Sequence, residues 1–412
     1  MRKSSGKSLL GNLILLLLSC ILTISGVEVV LRTFLLEDRY VLPPNFKSIL
    51  NPSPEIMPGV AGVSTFSINS SGIRGDEFSD DQAYRVLAVG GSTTVCSYLD
   101  DLKAWPYLLQ GLLNKKSGFK VWVGNIGRSG LNTRHHIVQL DKLLAQYPRI
   151  DAVILLVGIN DFVSRLKREK DYDGTSYLLP EDRYEVDTAA FFIGPDPPDW
   201  PFYKRTQIWK RLRQIKQNFS ILSDYIEDPK GNIYLKWRSH RQSAPLFRDT
   251  LPNLSSALTE YSNNLNRIID ITKERGVRVI LVTQPFLWRR NLPQELRRLL
   301  WMGGIGDYQH QSGNEYYSVE ALASGMGMYN ETLLTVCRNR RIECIDLESS
   351  LPKDTTVFYD DVHFNVSGSR KVAEIVSNYL LGTSPFEQIT VSALEILKSF
   401  RGPLERVYDV IT

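Results

Sequence analysis

Histidine and cysteine are scarce in this sequence: 412 residues contain five histidines and four cysteines. Cys20, Cys96, Cys337 and Cys344 form no Cys-x-x-Cys or Cys/His pairing, which argues against a zinc-built fold, and four in so long a chain exclude a disulfide scaffold. An excess of one charge is also lacking. With 49 basic and 45 acidic side chains the formal net charge is only +4, too balanced for nucleic acid to be the main partner. No segment repeats at a solenoid or propeller period, and none is of low complexity. What remains is an ordinary globular composition, 43% hydrophobic and 23% charged, able to bury a sizeable core as one domain with insertions or as two domains.

One long apolar run stands out. Leu9 to Val27 carries no charge, and at about 1.5 Å per residue it can cross roughly 30 Å of hydrocarbon, which predicts a transmembrane helix. Arg2, Lys3 and Lys7 precede it, while Glu28, Arg32, Glu37, Asp38 and Arg39 follow with mixed signs, so residues 1–8 are expected to be a cytoplasmic tail and the rest to lie outside the cell membrane. A cleaved signal peptide fits less well, because the run is long and no small-x-small site precedes Glu28. Leu17-Leu18-Ser19-Cys20 loosely resembles a lipoprotein box, but more apolar residues follow the cysteine.

Residues 28–80 are rich in Pro, Ser, Asn and Gly and read as a stalk and lead-in. From residue 81 to 384 strand and helix patterns alternate, with apolar strand runs expected near 85–89, 120–123, 152–157, 277–283 and 342–347. That alternation predicts a three-layer α/β domain with a mostly parallel sheet and polar groups gathered beyond the strand carboxyl ends. It lapses over about 162–256, an expected insertion. Within it, Tyr203 to Gln217 carries six basic residues without an acid; this reads as a solvated helix face or a contact for anionic lipid or an acidic glycan. Residues 385–412 read as a C-terminal amphipathic tail.

Four strand ends carry chemistry: Gly90-Gly91-Ser92-Thr93, Asn125 to Gly130, Gly158-Ile159-Asn160-Asp161 and Asp360-Asp361-Val362-His363. Paired glycines after a buried strand allow a sharp turn that presents Ser92 at a helix start, where free N–H groups favour developing negative charge. His363 can serve as its base, and Asp360, three residues earlier, can orient and stabilise the imidazole. Ser92 N–H, Gly130 N–H and the Asn160 amide can form an oxyanion site. Taken singly, each block also reads as a turn with a helix cap, and Asp-x-x-His as a metal pair. His135 and His136 read as surface or supporting groups, and Cys96 as core packing. Gln284 to Trp288 reads as either a pocket lining or a loop closing the sheet edge. Cys337 and Cys344 can meet in an oxidising compartment, though their spacing alone does not decide it. Asn365 lies in a glycosylation sequon beside His363.

In order and context these blocks resemble the SGNH hydrolases, also called GDSL esterases and lipases, over residues 81–165 and 257–381. Asn69 to Gly75 is similar to a lead-in of membrane-anchored members. The resemblance implies a flavodoxin-like fold with a five-stranded parallel sheet, a catalytic triad of Ser92, His363 and Asp360, and an oxyanion hole of Ser92, Gly130 and Asn160. It also implies hydrolysis of an ester on a carbohydrate or lipid without metal or cofactor. One departure is Gly91, where the family usually has aspartate; this bears on substrate type rather than on the nucleophile. Transfer of the acyl group to a sugar of an exported polysaccharide, or glycan binding without catalysis, are the alternatives.

Overall fold

Five short aliphatic runs become the central sheet of the computed structural model, which describes residues 5–34, 38–174, 180–197, 199–213 and 228–387. The strands are β1 (Tyr84–Gly90), β2 (Val121–Asn125), β3 (Ala152–Leu156), β4 (Arg278–Val282) and β5 (Glu343–Ile345), in spatial order β2-β1-β3-β4-β5. Every pairing is parallel, with Ala88 opposite Asn125, Gly90 opposite Leu156, and Leu156 opposite Val282. Parallel strands need helical crossovers, and these bury both faces, which is why β2 and β3 are wholly buried.

The helices used below are α1 (Ser5–Phe34), α2 (Ser92–Val95), α3 (Trp105–Ser117), α4 (Thr133–Gln146), α5 (Ile159–Arg168), α6 (Ile233–Gln242), α7 (Ser255–Glu274), α8 (Val319–Arg340) and α9 (Val366–Leu381). Helices α3 and α9 pack together, as do α4, α7 and α8, giving the expected three-layer α/β arrangement.

Helix α1 contains the span Leu10–Thr33, with mean hydropathy 2.5 and none of it buried in protein, long and apolar enough to cross a membrane. It outruns the expected 9–27, and in the added turns Glu28 and Arg32 pair along one face at 2.7 Å. Glu28 also accepts the Gln207 N–H (2.9 Å) and the Ile208 N–H (3.2 Å), so the basic segment docks at this end of α1.

The stalk expected over 28–80 is corrected from residue 38 onward. Val41, Leu42, Phe46, Phe66 and Ile73 are buried in the core, and Lys47–Leu50 pairs antiparallel with Ser64–Ser67. Its strands are only four residues long and its other buried residues lie in turns, so no helix or strand period shows in the sequence. The insertion likewise contributes buried structure: Arg238 of α6 donates to the carbonyls of Ile56 (2.6 Å), Leu299 (3.0 Å) and Tyr359 (3.1 Å). In the last segment Phe386 packs on Tyr84 and Phe119; the expected tail from residue 388, and residues 214–217 of the basic stretch, lie outside the described residues.

Candidate active site

Strand β1 runs into Gly90 and Gly91 because no side chain fits there. A β-carbon on Gly90 would stand 2.4 Å from the Leu156 carbonyl, and one on Gly91 would stand 2.3 Å from Asn160 Nδ2. Ser92 therefore opens α2 directly at the strand end. This helix has only four residues and ends at Cys96 in the left-handed region (φ 53°). Arg74, from the lead-in, holds that end: its guanidinium donates to the carbonyls of Val95, Cys96 (2.8 Å) and Leu99 (2.6 Å), while its Nε donates to Asp101 (2.9 Å). Its backbone pairs with Asn125, whose Nδ2 donates to the Thr94 carbonyl (2.8 Å). Cys96 is buried, which pushes its thiol up to about 11 and keeps it an unreactive packing group.

His363 Nε2 lies 2.7 Å from Ser92 Oγ, and His363 Nδ1 lies 2.7 Å from Asp360 Oδ2. Asp360 is fully buried and further accepts Trp301 Nε1–H (2.9 Å) and the backbone N–H groups of Val362 (3.0 Å) and His363 (2.8 Å). Burial alone would raise its carboxyl, but the His363 charge and these donors outweigh it and hold the group below the usual carboxylate range. The imidazole lies nearly parallel to the rings of Trp301 (6°) and Tyr359 (10°), which limit its rotation. Asp361 turns the other way, accepting from Trp288 Nε1 (2.8 Å) and Trp301 N (2.8 Å); burial, then the neighbouring Asp360 charge, push it up.

On the opposite side, Gly130 has φ 79°, a conformation glycine favours. Asn160 Nδ2 donates to the Leu131 carbonyl (2.7 Å), leaving its second N–H for the cleft. Asp161 accepts the Thr133 N–H (3.2 Å) at the start of α4, so the third block fastens the loop that carries Gly130. Neither Ser92 N–H nor Gly130 N–H has a protein partner among the described residues.

The structure decides several open alternatives. Of the two readings of His135 and His136, the supporting one holds: His135 Nδ1 accepts the Asn132 N–H (3.2 Å) in a helix cap, and His136 is fully buried against Gln139 (2.8 Å). Burial pulls both down, to about 3 and about 4, so they stay neutral supports of the Gly130 loop. Gln284 to Trp288 neither lines the cleft nor closes an edge; it is buried beneath the site, with Trp288 holding Asp361. Asn365 is a buried helix cap, accepting the Gly368 N–H (2.9 Å). Cys337 and Cys344 are disulfide-bonded, with Cα atoms 6.2 Å apart. Sequence reasoning missed Trp301, which no local pattern marks, and gave Arg74 no role although it lies in the Asn69 to Gly75 lead-in; each acts across a long sequence gap. No group of three or more potential metal ligands occurs among the described residues.

Ser92, Gly130, Asn160 and His363 line one cleft of about 440 Å³. Tyr234, Trp237 and Trp301 form an aromatic wall, the two indoles 4.5 Å apart, and Lys167 and Arg168 lie on its rim.

A five-stranded parallel sheet with its polar groups gathered beyond the strand ends defines an α/β esterase of the GDSL/SGNH architecture. The sequence profile of the GDSL-like lipase/acylhydrolase family matches residues 88–371; the chain belongs to that family and is an ester-bond hydrolase. Similar solved structures include the acetylxylan esterase Axe2 of Geobacillus stearothermophilus (16% identity, 72% of this chain and 94% of that one, TM-score 0.37). A GDSL-family lipolytic protein of Veillonella parvula is also similar (12% identity, 72% and 97% coverage, TM-score 0.37). No curated protein sequence matches significantly.

Proposed function

We propose that the protein is a membrane-anchored serine esterase that removes a small acyl group from a carbohydrate outside the cytoplasm. The observation that carries the reading is the continuous hydrogen-bonded path from Ser92 Oγ through His363 to Asp360, each step 2.7 Å. Ser92 Oγ attacks the ester carbonyl while His363 Nε2 takes its proton, and Asp360 holds the imidazole by Nδ1 and stabilises its cation. Ser92 N–H, Gly130 N–H and Asn160 Nδ2 receive the oxyanion, each donor being worth about 10²–10³ in rate. The intermediate collapses as His363 protonates the leaving alcohol, and the acyl group remains on Ser92. Water, deprotonated by His363, then releases the carboxylic acid.

The cleft lining supports a sugar ester over a long acyl chain: among the described residues lining it, the aliphatic side chains are Val163 and Met302, whereas its aromatic wall suits the C–H face of a sugar ring. Basic residues before the α1 span, and a disulfide in the folded domain, support an extracytoplasmic domain. Exposed Phe202, Tyr203, Trp209 and Leu212, beside Lys204 and Arg205 at the end of α1, suit contact with anionic lipid headgroups. Labelling by a fluorophosphonate probe tests the nucleophile. Wild type should label and Ser92→Ala should not; equal labelling, or none by either, overturns the reading in favour of a binding protein.

A further inference from the structure

The rim of the catalytic cleft carries cations and no acids. Lys167 and Arg168 line the cleft together with Ser92, Asn160 and His363, and no aspartate or glutamate is among the described residues lining it. Both cations stand on α5, where residues 160, 163, 164 and 167 follow the spacing that places them on one helix face. Asn160 and Lys167 are thus the two ends of a single stripe along the cleft. At 1.5 Å per residue, they are separated by about 10 Å along the axis.

Basic residues in the last turn of a helix ordinarily serve its free carbonyls. In α5 the basic residue so engaged is Arg165, which donates to the carbonyls of Glu169 (2.7 Å), just past the helix end, and of Asn253 (3.0 Å). The acids closest in the chain or across the rim are engaged elsewhere, Glu169 with Arg248 and Asp307 with His310 (2.7 Å). Asp307 feels the Lys167 charge only through space. Lys167 and Arg168 make no ion pair among the described residues, so the donors of both are available to an anion in the cleft.

We infer that the cleft selects O-acylated saccharides of an acidic polymer, with Lys167 and Arg168 receiving a carboxylate on a sugar unit adjoining the acylated one. The separation along α5 puts the anion beyond the ring that carries the ester, and Trp237 and Trp301, 4.5 Å apart, line the same cleft and can meet a sugar face. An ammonium and a planar guanidinium lining one cleft suit a carboxylate, which accepts charge-assisted hydrogen bonds from either. This inference rests on the esterase reading above.

The test uses the full-length protein in detergent, with O-acetylated oligogalacturonide, O-acetylated xylo-oligosaccharide of matched length, and p-nitrophenyl acetate. Wild type should show kcat/KM about tenfold higher on the acidic than on the neutral saccharide, a preference reduced by salt. The double variant Lys167→Gln/Arg168→Gln should lose that preference through KM, with its rate on p-nitrophenyl acetate unchanged. Equal rates of wild type on the two saccharides, or a preference that survives in the variant, overturns the inference while leaving the esterase intact. If fluorophosphonate labelling fails, calorimetry with unacetylated oligogalacturonate still reads the cation pair. Binding by wild type that the double variant loses sustains the inference; no binding, or equal binding, ends it.

Discussion

A β-carbon at residue 91 would stand 2.3 Å from Asn160 Nδ2, so the glycine of the first block and the asparagine of the third are steric partners. The φ of Gly91 (−86°) is not left-handed, so the close approach to Asn160 is the constraint a side chain meets there. Gly91→Ala should push the Asn160 amide off the oxyanion position and lower kcat on p-nitrophenyl acetate by about 10²–10³, with the unfolding temperature little changed. An alanine variant with full kcat would remove Asn160 from the oxyanion role.

Arg74 is 3% exposed and serves three carbonyls at the end of the helix that carries Ser92. Arg74→Ala leaves those acceptors and Asp101 without their donor, and thermal or urea unfolding should show a loss of about 3 kcal/mol. Arg74→Lys should recover only part, because an ammonium cannot span the same fork.

Burial, only partly offset by the Thr133 donors, pushes Asp161 up to about 7 from an ordinary 3.8. A carboxyl that binds its proton more tightly when folded stabilises the protein below its unfolded pKa, and that contribution is lost as pH rises through the folded value. The Asp161 contribution therefore falls as pH rises from about 4 to about 7, while His135 and His136, pulled down by burial, add stability as pH rises over the same range. Asp161→Asn, which keeps an acceptor for the Thr133 N–H, should isolate the first of these: by thermal unfolding, stability of wild type relative to the variant should fall between about pH 4 and 7, and a difference that does not change with pH would show that Asp161 does not titrate there.

Cys337 and Cys344 close a loop of seven residues between α8 and β5. Loop-closure entropy predicts that reduction, or Cys344→Ser, lowers stability by about 2 kcal/mol. Alkylation under non-reducing denaturing conditions should modify Cys20 and Cys96 alone; modification of all four would contradict the bond.

Much of the fold was legible because its signals are local. Apolar runs bounded by glycine marked β1, β3 and β4 within a residue or two, and the expected transmembrane run lies inside α1. The segment from residue 38 to 80 was misread, since its two strands are four residues long and its other buried residues lie in turns, too short a stretch for a period to show. For His135 and His136 the sequence left a supporting and a surface role open, because whether a polar side chain on a helix faces solvent depends on what packs against it, here a cap at Asn132 and the Ala190 carbonyl, which Gln139, the partner of His136, reaches at 2.8 Å.

By itself the sequence determined which residue types stand at the strand ends, because a glycine turn, a helix start and an apolar run are each written in a few consecutive positions. The tertiary structure alone decided that Ser92 and His363, 271 positions apart, stand 2.7 Å from each other. It alone decided that Trp301 and Arg74 hold the two sides of that pair. The physical reason is that parallel strands bring distant chain segments to one sheet edge, while the acceptors these long side chains find are backbone carbonyls and a buried carboxylate, whose positions exist only once the chain is folded.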